Sequence, residues 1–151
     1  MTNKEIISAI AEKHGLDASI VLGVCMQESQ MDFLAVRYEP HYRWLWKPAE
    51  VKPRICSLDT ERTLQMMSYG LMQVMGAVFR EYGYKGWLTN VIASPDIQVE
   101  YGCQHLARKI KKYGPELGIL AYNSGSPRKN EAGEYVNQYY LDNVMKYSKQ
   151  F

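Results

Sequence analysis

Hydrophobic residues return at helical spacing through most of this chain, and the spacing fails over one long internal stretch. Ile6, Ile7, Ile10 and Ala11 share one stripe of a first helix, which Thr2 and Glu5, three positions apart, open as a capping box and Gly15 ends. Asp17 reads as the N-cap of a second helix that runs to about Gln27–Gln30. From Ile20 to Met26 that helix is apolar almost all round, which predicts a buried position, and the short turn between the two helices predicts that they pack together.

From Asp32 to about Thr60 the pattern breaks. Pro40, Pro48 and Pro53 interrupt a segment dense in aromatic and charged residues, Arg37-Tyr38-Glu39-Pro40-His41-Tyr42-Arg43-Trp44-Leu45-Trp46. Long irregular segments inside compact domains are often functional, so this one is a candidate cleft wall; the alternative is a surface excursion. A small β-hairpin is expected around residues 55 to 75, with Gly70 in a tight turn. Helical spacing returns over Gly76–Glu81 and again after Ser94-Pro95-Asp96, a helix start whose element runs to about Tyr113. Glu116 to Tyr122 forms a further short helix, residues 123–127 a turn, and Glu134 to Tyr147 a closing helix rich in tyrosine. The fold class is therefore mainly α, in one domain over residues 1–151, with no internal repeat or linker.

Composition narrows the class without naming a function. A charged fraction of 23% beside 46% hydrophobic residues is that of an ordinary globular domain. Eighteen Lys and Arg against sixteen Asp and Glu leave a net charge of +2, too little to argue for nucleic acid as a partner. The Arg108-Lys109 and Lys111-Lys112 pairs fall near a helix C-terminus, where cations are favoured in any case. Cys25, Cys56 and Cys103 are widely spaced, with no CxxC or Cys/His cluster, so free thiols are expected, and neither a zinc site nor a disulfide framework. No stretch reaches the roughly 18 to 20 apolar residues of a membrane span, and the N-terminus leads into an amphipathic pattern with no continuous apolar h-region. The expectation is a monomer without membrane insertion or a Sec-type signal.

Glu28 is the candidate for chemistry. Val21, Val24, Cys25 and Glu28 fall at i, i+3, i+4 and i+7, which places a carboxylate on a face of core residues. Desolvation and the negative end of the helix dipole both raise its pKa, and a glutamic acid still protonated near neutrality can act as a general acid. On spacing alone the other reading stays open, in which Glu28 sits at the helix rim and reaches water or an arginine.

Four segments in this order resemble the motifs of the lytic transglycosylase family, whose fold is that of goose-type lysozyme. They are Glu28-Ser29-Gln30 with Ala35 following, Gly70-Leu71-Met72-Gln73, Ala121-Tyr122-Asn123-Ser124-Gly125 and, more loosely, Tyr135-Val136 leading into Val144 and Tyr147. The resemblance implies a lysozyme-like α+β domain with a small β-hairpin lining the cleft. It implies peptidoglycan glycan strands as the partner, and cleavage of the β-1,4 bond between N-acetylmuramic acid and N-acetylglucosamine to leave a 1,6-anhydro end. Glu28 is then the catalytic acid and afterwards the base, with no cofactor and no metal. Ser29, Met72, Gln73, Tyr122, Asn123 and Tyr135 are the implied substrate-binding residues. Ser29 orients Glu28 or the N-acetyl group, or else bonds its own backbone; Met72 shields the site from water, or else is core. The connection from Asp32 to Met67 is longer than is usual in the family, which opens the cleft shape and its access to water to question.

Two other readings follow from the same residues. A hydrolytic lysozyme would need a second carboxylate, for which Glu39, Asp59 and Glu61 are available, although Arg37 beside Glu39 suggests an ion pair. A glycan-binding module on the same fold would need none. A stand-alone domain with no export signal is expected to suit a phage-type protein made in the cytoplasm and acting on the periplasmic wall after holin-type release or as a virion component; a part of a secretion or conjugation apparatus is a further setting.

Overall fold

The capping box forms as the spacing predicts. In the computed structural model, which describes all of residues 1–151, the Thr2 amide donates to Glu5 Oε2 at 3.0 Å and the Glu5 amide to Thr2 Oγ1 at 3.1 Å, opening α1 (Asn3–Lys13). Asp17 Oδ1 accepts from the Ser19 amide at 2.9 Å and opens α2 (Ala18–Ser29). Val21, Leu22, Val24 and Cys25 of α2 are buried, so this helix forms the centre of the protein. It packs against α1 and, more extensively, against the closing helix α8 (Gln138–Ser148). Gly23 permits that approach: a Cβ there would run into the Val144 carbonyl oxygen and crowd the Ser148 amide. The long helix α6 (Pro95–Tyr113) packs on α7 (Pro115–Ser124) and on α1, completing the core with Val99, Cys103, Leu106 and Leu120. All three cysteines are free and buried.

Three strands form one antiparallel sheet in the order β1 (Val36–Tyr38), β2 (Met67–Tyr69), β3 (Val74–Met75). The β2–β3 hairpin lies inside the range expected from sequence, with Ser68 opposite Met75 and Tyr69 opposite Val74. The third strand comes from the aperiodic segment, where Arg37 faces Ser68. Residues 58–65, expected to contribute to the hairpin, are instead helix α4 (Leu58–Gln65), capped by Ser57 Oγ accepting from the Thr60 amide at 3.1 Å. Hydrophobic spacing does not show it because its inward face is polar: Glu61 and Gln65 are fully buried. Gln65 Oε1 accepts from the Trp46 amide at 2.7 Å and its Nε2 donates to the Trp46 carbonyl at 3.1 Å, so α4 ties down the proline-rich stretch. That stretch holds a single turn of helix, α3 (Pro48–Val51), and α5 (Gly76–Glu81) follows the sheet.

Two boundaries differ from expectation. The closing helix starts at Gln138 and not at Glu134, because Tyr135 is drawn into a β-bridge with Lys129. Ser94 precedes α6 without capping it; its hydroxyl donates back to the Asn90 carbonyl at 2.6 Å, leaving Pro95 as the start signal.

Candidate active site

The second helix delivers Glu28 in its last turn, and the chain then reverses through Gln30 and Met31, both left-handed at φ 52° and 66°. Glu28 is half-buried at the floor of a cleft of about 350 Å³. Burial pushes its pKa up to about 7, against the pull of the Tyr140 hydroxyl and the Arg37 cation, which favour the carboxylate. Tyr140 arrives from α8 and is 1% exposed. It is near enough to act on the Glu28 carboxyl, yet its hydroxyl has no acceptor in full hydrogen-bond geometry. The hydroxyl approaches the carboxyl without forming a hydrogen bond, an approach that shortens most readily when Glu28 carries charge.

The opposite wall is the loop from β2 to β3, and its shape is fixed by side chains reaching in from elsewhere. Gly70 is left-handed at φ 69°, and a Cβ there would overlap the Gln98 side chain, so glycine is required twice over. Buried Gln98 accepts from the Leu71 amide at 3.0 Å and donates to the Phe33 and Val91 carbonyls, each at 2.9 Å. Gln73 holds a left-handed φ of 50°, and its side chain closes the loop. Its Nε2 donates to the Ala35 and Gly70 carbonyls at 3.1 and 2.9 Å, while Oε1 accepts from Ser68 Oγ at 2.8 Å. Tyr122 donates its hydroxyl to the Met72 carbonyl at 2.6 Å, joining α7 to the same loop.

Of the residues singled out from sequence, Glu28, Gln73, Tyr122, Asn123 and Glu39 line this one cleft. Ser29 and Met72 stand behind it. The Ser29 hydroxyl faces the Cys25 carbonyl at 3.0 Å and the Leu71 carbonyl at 2.9 Å, so it bolts the helix end to the loop and gives Glu28 no hydrogen bond. Met72 is fully buried with its side chain against Gly102 of α6, which makes it core. Tyr135 is not part of the lining; it packs at the edge of the core with Lys129 Nζ 5.1 Å from its ring centre. Asn123 Oδ1 accepts from Asn137 Nδ2 at 2.9 Å, which fixes the amide that borders the cleft.

Among the three alternative carboxylates, Glu61 is removed from the question. Arg80 holds both its oxygens, Nε donating at 2.9 Å and Nη2 at 2.7 Å, with both side chains fully buried. Asp59 sits in the exposed first turn of α4, outside the cleft. Glu39 remains, with Arg37 Nη1 4.0 Å away, the outer limit of an ion pair. The aperiodic segment also supplies Arg37, His41 and Tyr42 to the lining, as a cleft wall should.

Tyr140 and His105 are the site residues that sequence reasoning missed. Tyr140, Leu141 and Val144 form the buried face of α8, so the signal for Tyr140 was a core stripe interrupted by a hydroxyl. No three His, Cys, Asp or Glu side chains converge to hold a metal.

The family profile described as Transglycosylase SLT domain matches residues 5–144 of the chain. No curated protein matches it.

Proposed function

The chain belongs to the transglycosylase SLT domain family, and on that premise we propose that it cleaves the β-1,4 bond between N-acetylmuramic acid and N-acetylglucosamine in peptidoglycan by intramolecular transfer. The observation that carries this reading is Glu28: a half-buried carboxyl in a cleft, with a pKa of about 7 and no cation in contact. An acid with that pKa is protonated often enough at neutral pH to give its proton to the glycosidic oxygen as the C1–O bond breaks. The acetamido oxygen of the same sugar stabilises C1 in the interval. The muramic acid 6-hydroxyl then attacks C1, its proton passes to the Glu28 carboxylate, and a 1,6-anhydro ring is left. Glu28 ends as it began, so no second protein carboxylate is consumed or required.

The surrounding groups fit that sequence. Tyr140 and Arg37 favour the carboxylate, the state Glu28 holds between the two transfers. Asn123 borders the cleft with its amide fixed through Oδ1 and its Nδ2 donors free for an acetamido oxygen, while Gln73, whose Nε2 is spent within the loop, can accept from a sugar hydroxyl through Oε1. Ser29, Met72 and the Tyr122 hydroxyl act one layer out, by holding the loop.

Hydrolysis is the second reading, and Glu39 is the observation that favours it, being the other carboxylate in the lining. Mass spectrometry of digested sacculi separates the two. Intramolecular transfer predicts anhydromuramic ends that survive in Glu39→Gln; reducing muramic ends, lost in Glu39→Gln, would replace it with hydrolysis. Glu28→Gln is expected to lose at least about 10³-fold in activity while remaining folded. If it clears sacculi at the wild-type rate, the role given to Glu28 is wrong.

A further inference from the structure

A second titratable side chain faces the cleft with half of its hydrogen-bonding capacity unspent. His105, on α6, lines the cleft together with Glu28 and Tyr122. Its ring packs between two tyrosines, 5.3 Å from the Tyr122 ring centre and 5.5 Å from that of Tyr82. Nδ1 lies 2.7 Å from the Tyr82 hydroxyl. Nε2 has no protein partner, and the half-buried ring borders the cleft.

The imidazole is neutral across the working range, because burial, followed by the Lys109 and Arg108 cations, pushes its pKa down to about 4. A neutral ring carries one N–H, and the environment of Tyr82 decides which nitrogen holds it. The Arg108 guanidinium lies 4.2 Å from the Tyr82 ring centre and favours negative charge on its oxygen. Arginine only donates, so it cannot take the Tyr82 hydroxyl proton. Nδ1 is the protein acceptor within hydrogen-bond distance of that hydroxyl. Burial keeps Tyr82 protonated, its pKa being raised chiefly by desolvation. Donation from the Tyr82 hydroxyl to Nδ1 places the ring hydrogen on Nε2.

We infer that His105 is a substrate-contacting residue whose Nε2–H donates to an uncharged oxygen of the bound sugar, an acetamido carbonyl or a hydroxyl, and that Tyr82 is the positioning residue that fixes this tautomer. The inference rests on the reading that the cleft holds a glycan of N-acetylated sugars. An uncharged donor beside Glu28 suits this position, since it adds orientation without placing a cation against a group that must stay protonated.

The experiment begins in the free protein, with ¹⁵N spectra of the histidine side chains. The wild type should show His105 as the Nε2–H tautomer, and Tyr82→Phe a mixture. Titration with N-acetylated and de-N-acetylated chitooligosaccharides should shift the His105 Nε2 resonance, with a larger response to the N-acetylated form marking the carbonyl and an equal response marking a hydroxyl. On peptidoglycan, His105→Phe is expected to lower kcat/KM roughly five- to tenfold, mostly through KM, and His105→Gln to recover most of the loss by restoring a donor. An Nδ1–H tautomer, an unmoved Nε2 resonance at millimolar oligosaccharide, or a fully active His105→Phe each overturns the inference. A wild-type protein that leaves peptidoglycan intact would sink the cleavage reading alone, because the tautomer and the titration are read without turnover.

Discussion

Glu28 and Glu61 are both drawn out of water on the inner face of a helix, and they end in opposite states. Glu61 on α4 meets Arg80 through both oxygens and accepts a third bond from Gln65 Nε2 at 2.8 Å. Arg80 is satisfied in turn by the Tyr84 and Gly86 carbonyls at 2.8 and 2.7 Å. Glu28 on α2 has a reluctant tyrosine and a distant arginine, and it holds its proton to about pH 7. Burial is common to the two; the counter-charge is not. A desolvated carboxyl becomes an acid–base group where the fold withholds its partner, and becomes a structural rivet where the fold supplies one.

The comparison is tested most sharply by removing each charge. Glu61→Gln leaves the Arg80 guanidinium buried without its counter-ion, and should cost about 3 to 5 kcal/mol in urea unfolding at neutral pH. Glu28→Gln should act in the opposite direction. With a folded pKa of about 7 against an ordinary 4.5, the folded state binds the Glu28 proton more tightly than the unfolded chain does. Stability from this group is therefore complete below pH 4.5 and is lost as pH rises to about 7. Glutamine removes that loss, so the variant should be about 1 to 3 kcal/mol more stable than the wild type at pH 8, with no gain at pH 4; the lower figure allows for screening by the open cleft. Equal destabilisation by the two substitutions at pH 8 would erase the distinction between them.

The same contrast explains what the sequence made legible. Glu28 stood out because Val21, Val24 and Cys25 share its face, and an acid at the end of an apolar stripe violates the helical pattern. The caps of α1 and α2 and the extent of α6 were legible for the same local reasons. Helix α4 was not, because Glu61 and Gln65 are its core face, and polar residues that satisfy one another look like surface to a hydrophobic periodicity. Strands of two and three residues carry too few side chains to show alternation, so β1 was hidden inside the aromatic segment. Tyr140 and His105 could not be placed by spacing at all. Tyr140 reaches Glu28 only because Gly23 lets α8 lie close on α2, and His105 reaches the cleft because α6 passes beneath the loop that Gln98 anchors. The Tyr135-Val136 pair resembles a motif, yet Tyr135 pairs with Lys129 in a β-bridge and is not in the cleft lining.

The smallest expected effect asks whether Glu28 is wholly without support. Tyr140→Phe removes a hydroxyl that favours the carboxylate, so the pKa of Glu28 should rise above about 7. Under the proposed mechanism activity requires protonated Glu28 for the first transfer, and its decline on the alkaline side should therefore move to higher pH, by less than about one unit. The maximal rate should fall at the same time, since the carboxylate formed after the first transfer loses its one nearby donor. Stability should hardly change, or should improve slightly, because the hydroxyl being deleted is buried without a formed bond. Arg37→Gln should move the same limb in the same direction by less, and the shift should shrink with added salt, because that side chain is 68% exposed. A limb that moves to lower pH in Tyr140→Phe would mean that the hydroxyl hinders the carboxylate. Tyr140 would then belong with the burial that raises the pKa, and Glu28 would stand further from Glu61 than the geometry now places it.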